Sequence, residues 1–420
     1  MKRLSQKIKK ISSNYSKIVE NYFFMTFLQG ANVFIGLFLY PYLIRTLGLS
    51  AYGTFIFAAS CINFFVLFIS FGFTFPALKK ISLHADDTKI KNETVSSVFT
   101  AKFYLFILSA IILSVLIFVI PFFRENILLY VVIFSFTICD VLFPTWYFQG
   151  IQKMKLVTYI QLGSKLLTIP FIFIFIKSPE NLLLYAVIFS SSSILGAVSS
   201  LFYLRMKENI RLYFVPIRSM KSLFEDAMPF FWTSVGSTVK REGITLIIGL
   251  FFGMKDVALY DLANKIVSVP RLITLNINDA IFPRVIKNIN AAQIKKIIRY
   301  EVLIGLAIIL LIVLFGHWAV LFLGDEGMMD SYFIAIVLST TILTSLVIAC
   351  YINYIFVPQN KYYFVTKSQI LSSVSFFVLS GIGLLVSENI LSIILAYALA
   401  GVVEIFYCKY LINKHRLLLL

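Results

Sequence analysis

Long apolar blocks recur along the whole chain, each about the 20 residues a helix needs to cross a bilayer, separated by short stretches rich in Lys and Arg. Within a block the apolar positions are continuous. They lack the two-residue alternation of a membrane barrel strand, so helices are predicted. The pattern places spans at 22–46, 52–74, 101–121, 127–149, 156–176, 181–204, 228–252, 257–281, 300–323, 331–356, 363–386 and 390–412, the eighth being the least apolar. No connection exceeds about 25 residues, which leaves no room for an extramembrane catalytic domain. The expected fold is an all-α polytopic membrane protein of about twelve helices.

Composition agrees. Of 420 residues 60% are hydrophobic and 14% charged, where soluble domains carry about 25% charged residues. The net charge of +17 does not call for nucleic acid, because its placement follows membrane topology. With the N-terminus cytoplasmic, 28 of the 37 Lys and Arg fall in the tails and cytoplasmic loops (Lys102 counted in the loop 79–102), and only Arg45, Arg124, Lys177 and Lys255 fall outside. That bias predicts both termini cytoplasmic. Segment 1–21 is basic and is expected to lie along the anionic inner leaflet. The apolar run after it continues past Tyr42 without a small-residue cleavage site, so it reads as a retained helix. Cys61, Cys139, Cys350 and Cys408 form no CxxC pair and have no His cluster beside them, which disfavours disulfide and zinc readings.

A weak internal repeat divides the chain. Leu47-Gly48 through Tyr52-Gly53 after the first span matches Phe252-Gly253 through Tyr260 after the seventh, and Phe75-Pro76 matches Phe282-Pro283. A six-helix unit returns to its starting side, so the halves are parallel repeats. The expected organisation is a basic segment 1–21, an N-lobe 22–206, a cytoplasmic linker 207–225 and a C-lobe 226–420, the lobes enclosing a central cavity.

Ionisable groups cost about 2.5–3.5 kcal/mol each at the centre of a lipid-facing helix, so those inside spans are expected to face the bundle interior or water. At about 100° per residue, Asp261, Asn264, Lys265, Ser268, Arg271 and Asp279 fall on one stripe of the eighth span. Asp261 and Lys265 lie one turn apart and can neutralise each other; Arg271 has no acidic residue at that spacing. Arg241 shares a polar face of the seventh span with Ser234, Ser237, Thr238 and Thr245, while Lys240 points away beside Glu242. Lys165 shares a face of the fifth with Thr158, Gln161, Ser164 and Thr168. Gln29 and Asn32 mark a polar face of the first. Lys165, Arg241, Lys265 and Arg271 are therefore candidate lumen cations, suited to anionic, phosphate-bearing ligands. The competing account is interhelical salt bridges to Asp140, Glu242, Asp261, Asp279 and Glu404. Trp146, Tyr147 and Phe148 read most simply as an aromatic belt, and His317 beside Trp318 as an interface residue. Walker A, GxGxxG and HExxH motifs are absent from the sequence, so the chain reads as a non-enzyme that does not itself hydrolyse ATP.

Two segments carry a family resemblance: Pro41-Tyr42-Leu43-Ile44-Arg45-Thr46-Leu47-Gly48 with Tyr52-Gly53, and Phe143-Pro144-Thr145-Trp146-Tyr147-Phe148-Gln149-Gly150. Together with the basic stretch after the second span, they resemble the Wzx-type polysaccharide flippases of the multidrug/oligosaccharidyl-lipid/polysaccharide exporter superfamily. The motifs lie mainly in the first half; the twelve-helix layout covers the whole chain. The resemblance implies a bacterial inner-membrane protein that carries an undecaprenyl-diphosphate-linked oligosaccharide, such as an O-antigen unit, from the cytoplasmic to the periplasmic leaflet by alternating access. It implies lipid-linked oligosaccharide and membrane lipids as partners, with a polysaccharide polymerase and chain-length regulator suggested by pathway logic. It implies no cofactor beyond coupling to H+ or Na+, for which Asp140 and Asp261 are the candidate groups. It does not carry over the cation positions, which rest on helical spacing alone.

Three other classes compete. A drug/cation antiporter of the same superfamily would want lumen carboxylates. A polysaccharide polymerase or membrane glycosyltransferase would want a large outer loop. A passive scaffold would not need polar stripes on three helices.

Overall fold

The computed structural model describes the backbone over residues 2–285 and 290–417, and the side chains within them except at 2–16, 18, 276, 277 and 279–285. The helices are α1 (Lys2–Ser70), α2 (Thr74–Leu83), α3 (Thr88–Val119), α4 (Pro121–Arg124), α5 (Ile127–Ser135), α6 (Ile138–Leu142), α7 (Thr145–Gly150), α8 (Met154–Phe175), α9 (Leu182–Lys207), α10 (Lys221–Phe251), α11 (Met254–Val285), α12 (Ala291–Leu323), α13 (Asp330–Tyr351), α14 (Tyr362–Val386) and α15 (Ile390–Lys414). Among the described residues nine stretches are long and apolar enough to cross a membrane. The first, Val19–Ser70, is 52 residues long and holds two predicted spans, since helical geometry breaks at Gly48 (φ 76°, ψ 165°). α10 and α11 are long enough at 31 and 32 residues but carry the intramembrane charges that set them apart from the nine. Counting the first stretch twice and adding these two recovers the predicted twelve. The chain is an all-α polytopic membrane protein.

Three boundaries differ from expectation for identifiable reasons. α3 starts at Thr88 rather than near 101, because the Asp87 carboxylate accepts from Lys89 N at 2.9 Å and Ile90 N at 3.0 Å and so caps a polar first turn. Asn290 starts α12 early in the same way, accepting from Gln293 N at 2.8 Å. A hydrophobic window sees only the apolar part of each helix. The predicted fourth span is broken into α5, α6 and α7. Pro144 disfavours helical geometry at Phe143 (φ −103°, ψ 92°). Before it, Ser135 and Thr137 hydroxyls bond back to the carbonyls of Val132 and Phe134 at 2.6 and 2.8 Å, offering the backbone an alternative to the helical ladder.

The described chain forms two compact units: residues 1–39 with 65–231, and residues 40–64 with 232–420. Segment 40–64, assigned by sequence to the N-lobe 22–206, thus packs within the second unit.

In the first unit, α8 packs on α9, α5 and α6 on α9, and α2 on α7. Its core closes on a tight turn at Phe71-Gly72-Phe73. Phe71 stacks on Phe231 with ring centroids 4.4 Å apart, and both Phe71 and Phe73 meet the edge of Phe224. Gly72 has φ 74°, and a Cβ there would stand 2.7–3.0 Å from backbone atoms of Ala227, Phe230 and Phe231. Trp146, Tyr147 and Phe148 are no aromatic belt: they are 4%, 0% and 0% exposed and lie in this core. The break at Pro144 turns α7 onto α2, where Gly150 lies so close that a Cβ would come within 2.7 Å of Ile81 Cγ2. Gln149, of the same motif, is only half-buried.

In the second unit, α11, α12 and α15 pack on α13, and α14 on α15. Segment 40–64 is fastened here by the family-motif residues. The Arg45 guanidinium donates to the Gly324 carbonyl at 3.0 and 3.3 Å and to Phe322 O at 3.5 Å, capping the C-terminal end of α12, where a cation is favoured. Gly53 lies against the Met254 carbonyl with no room for a Cβ. Pro41 sits inside α1 one residue past the buried Tyr40. Gly48 and Gly253, matched in the repeat, both adopt positive φ (76° and 104°) where the next helix begins. The second half of the repeat, Phe282-Pro283-Arg284, lies outside the described side chains.

Gly72→Ala should destabilise the protein by about 1–3 kcal/mol, since it combines a left-handed φ with backbone neighbours that cannot yield. Gly30→Ala, helical and with nothing within 4 Å of the added Cβ, should gain about 0.5–1 kcal/mol. Thermal unfolding in detergent, followed by monodisperse elution, checks the opposite signs.

Candidate functional site

The first unit holds its charges around the broken helix. Asp140 sits on α6 between the two breaks. Its Oδ2 accepts from Lys102 Nζ at 2.7 Å and from Ser70 Oγ at 2.9 Å, and Lys102 Nζ also donates to the Asp140 main-chain carbonyl at 2.9 Å. The Lys102 side chain is 4% exposed and that of Asp140 29%. Lys102 is therefore an intramembrane cation and not the cytoplasmic-loop residue that its position at the edge of an apolar run suggested. Beyond Asp140 opens a cavity of about 290 Å3 that reaches Gln161, Ser164 and Lys165 on α8 and Phe189, Ser193 and Gly196 on α9. Gly196 makes the approach of α9 possible, since a Cβ would come within 3.1 Å of Ser164 Oγ. Lys165 Nζ donates to Asn32 Oδ1 at 2.7 Å and has no carboxylate partner among the described residues. Gln29, one turn before Asn32, is exposed.

The second unit holds the other three expected cations. Lys265 is ion-paired to Asp261 one turn away. Tyr52 donates to the same Asp261 Oδ2 at 3.1 Å, and Lys265 Nζ donates to Tyr52 Oη at 3.3 Å. The ammonium also stands 4.6 Å from the ring centre of Tyr40 and 5.7 Å from that of Tyr52, in a two-ring cage. Lys265 is thus neutralised in place. Arg241 donates from Nε to Glu242 Oε1 at 2.9 Å, and Asn63 Nδ2 donates to Oε2 of the same carboxylate at 3.2 Å. The Arg241 side chain is nonetheless 61% exposed while that of Glu242 is 10% exposed, so the terminal nitrogens of its fork face outward. Lys240 pairs with Glu404 at 3.4 Å, donates to Ser372 Oγ at 2.6 Å and lies 5.5 Å from the Tyr397 ring centre. Arg271 is half-buried and has no ion-pair partner among the described residues. The Asp279 side chain, expected on the same stripe, lies outside the described residues.

Four intramembrane carboxylates thus hold four basic groups: Asp140 with Lys102, Asp261 with Lys265, Glu404 with Lys240 and Glu242 with Arg241. Helical spacing found Asp261 with Lys265. It missed Lys102, Ser70, Tyr40 and Asn63, because each meets its partner from another helix and no periodicity within one segment reports that. It also missed Glu301 on α12, 7% exposed, whose Oε2 has no partner among the described residues, although it lies within the predicted span 300–323.

Comparison with known proteins agrees with this architecture. A family model described as "Polysaccharide biosynthesis protein" matches residues 18–289. A protein of Escherichia coli (strain K12) is 25% identical over 291 residues, 69% of each chain, and one of Shigella dysenteriae is 22% identical over 84% of this chain and 90% of its own; both bear the name "Putative O-antigen transporter". Among solved structures, an inward-facing multidrug-resistance MATE transporter of the MOP superfamily superposes with a TM-score of 0.70 at 12% identity, covering 91% of this chain and 95% of its own. The lipid II flippase MurJ superposes with a TM-score of 0.65 at 15% identity, covering 92% and 87%. At such identities the two structures establish the fold alone.

Breaking a buried ion pair leaves one charge uncompensated, at a cost of about 3–5 kcal/mol. Lys102→Met and Asp140→Asn should each lower the detergent-solubilised yield and the unfolding midpoint, and the Lys102→Met/Asp140→Asn double variant should recover part of the loss. A double-mutant cycle on the unfolding midpoint measures this; purely additive losses would show that the two groups do not act as a pair.

Proposed function

The chain belongs to the polysaccharide biosynthesis protein family, and on that premise we propose that it is a flippase. In this reading it carries an undecaprenyl-diphosphate-linked oligosaccharide, an O-antigen or other surface-polysaccharide repeat unit, from the cytoplasmic to the periplasmic leaflet of the inner membrane by alternating access, with both termini cytoplasmic. A matching polymerase would receive the product.

The physical problem of such a substrate is its headgroup. A diphosphate and a string of sugar hydroxyls must pass a hydrocarbon core that solvates neither, while the prenyl tail stays in lipid. The protein has to supply positive charge along the path without holding the anion too firmly. The observation that carries the reading is the accounting of intramembrane charge. Once the four carboxylates have taken their partners, Lys165 and Arg271 remain without an ion pair among the described residues. Arg241 is paired through Nε alone and keeps its outward nitrogens. A guanidinium meets a phosphate with two parallel N–H donors, so Arg241 and Arg271 are assigned the diphosphate. Lys165, already oriented by Asn32, is assigned a supporting contact to the nearby sugars. Lys265 is assigned to structure, because Asp261 and two tyrosines already hold it.

Energy is proposed to come from an H+ or Na+ gradient. Asp140 and Asp261 are its candidate groups, and each holds a lysine ammonium, so a coupling ion acts there by displacing that lysine. The same pairing argues against a drug/cation antiporter, whose binding site would need carboxylates not already neutralised. The relatives bear the names of transporters, not of enzymes.

Arg241→Ala and Arg271→Ala should each lower surface glycan at unchanged protein level, and Arg→Lys at the same positions should retain part of it. The measurement is surface polysaccharide on a gel, with lipid-linked precursor extracted in parallel, in a host deleted for the gene and complemented with each variant. Equal glycan at equal abundance in the double alanine variant removes the assignment. Unchanged glycan on deletion, with altered sensitivity to cationic drugs, replaces the flippase by the antiporter.

A further inference from the structure

We infer that the cavity of the first unit is a saccharide subsite, one that takes a neutral sugar ring of the substrate rather than its phosphates or a coupling ion; this rests on the flippase reading above. The cavity holds about 290 Å3, at the small end of ligand pockets, and it is built from two kinds of surface. One is aromatic: Phe136 and Phe189 lie 5.5 Å apart between centroids with 32° between planes, and Phe143 lines the same space. Flat apolar rings of this kind cover the C–H face of a sugar.

The other surface is polar and has unused bonding capacity. The Asp140 carboxylate is occupied on Oδ2 only, by Lys102 and Ser70, and Oδ1 has no partner among the described residues. The Gln161 side-chain amide has none either; only its main-chain carbonyl is used, accepting from Ser164 Oγ at 3.1 Å. Thr145 adds a hydroxyl. A carboxylate oxygen and an amide lining one cavity offer both the acceptors and the donors that adjacent hydroxyl groups need.

The other occupants fit worse. A coupling ion that displaces Lys102 from Oδ2 and the carbonyl of Asp140 would use only that corner and leave the aromatic wall, Gln161 and Oδ1 without a ligand. A diphosphate would gain Lys165 but lie against the Asp140 carboxylate, whose charge repels it. A neutral polyol has neither shortcoming, and Lys165 donates to a hydroxyl as readily as to a phosphate.

Cys139 lines this cavity and reports its occupancy. In the full chain, purified in detergent with the other three cysteines replaced by alanine, maleimide labelling of Cys139 is timed with two probes. They are the repeat-unit oligosaccharide released from the host's own surface polysaccharide, and a sugar-free polyprenyl diphosphate. At about ten times its Kd the oligosaccharide should slow labelling about tenfold, and the diphosphate should not slow it. Gln161→Leu and Phe189→Leu should abolish protection while leaving the ligand-free labelling rate unchanged, which shows the cavity still formed. No protection by the oligosaccharide, or equal protection by the sugar-free diphosphate, overturns the subsite. The flippase reading is scored separately, by whether lipid-linked precursor accumulates on gene deletion. Accumulation without protection removes the subsite and leaves the flippase; absence of accumulation removes the flippase whatever the labelling shows.

Discussion

Every charge that this protein keeps inside the membrane has to be compensated or put to use, and that constraint arranges the rest. A buried ammonium or carboxylate without a partner costs more than a helix packing contact returns. The chain meets the cost in both units with the same chemistry. In the first, Asp140 receives an ammonium from Lys102 and a hydroxyl from Ser70; in the second, Asp261 receives an ammonium from Lys265 and a hydroxyl from Tyr52. Each carboxylate draws together helices that are distant in sequence. Lys240 with Glu404 does the same across 164 positions. The pairs therefore act as fasteners between helices whose apolar surfaces alone would not choose a register.

The constraint also explains what the family motifs do here. Arg45, Tyr52 and Gly53 hold segment 40–64 within the second unit, by capping α12, completing the Asp261 site and letting backbones approach. Trp146 to Gly150 likewise form a buried knot of α7 against α2. The motif residues thus secure joints.

Much of this was legible in the chain. Apolar length alone placed twelve spans, because a helix must be satisfied along its whole backbone in lipid and so announces itself. The Gly48 and Gly253 turns showed in the repeat because only glycine takes positive φ at no cost. Illegible was anything decided between helices. Lys102 looked like the last residue of the loop 79–102, yet α3 begins fourteen residues earlier, after its Asp87 cap, and carries the ammonium inside. Trp146 and its neighbours looked like an interfacial belt, because nothing in one segment shows that Pro144 turns them inward. The difference between Lys265, with Asp261 one turn away, and Arg271 was legible; that Tyr40 and Tyr52 from another helix complete it was not.

That last difference changes how the cations should be ranked. Four residues on polar stripes carry equal formal charge, but the field each presents to a substrate depends on what already stands beside it. Lys265 beside Asp261 is close to a dipole, whose reach falls off faster than that of a single charge. Arg241 shares Glu242 with Asn63, which draws part of the carboxylate away from it and leaves its fork turned outward at 61% exposure. Arg271 and Lys165 have no ion-pair partner among the described residues. An anion that must also be released is better served by a few unequal cations than by one cluster of them, because a cluster would hold it where it first bound. The neutralised pairs are thus part of the same design: by removing charge at most positions they leave it acting at few.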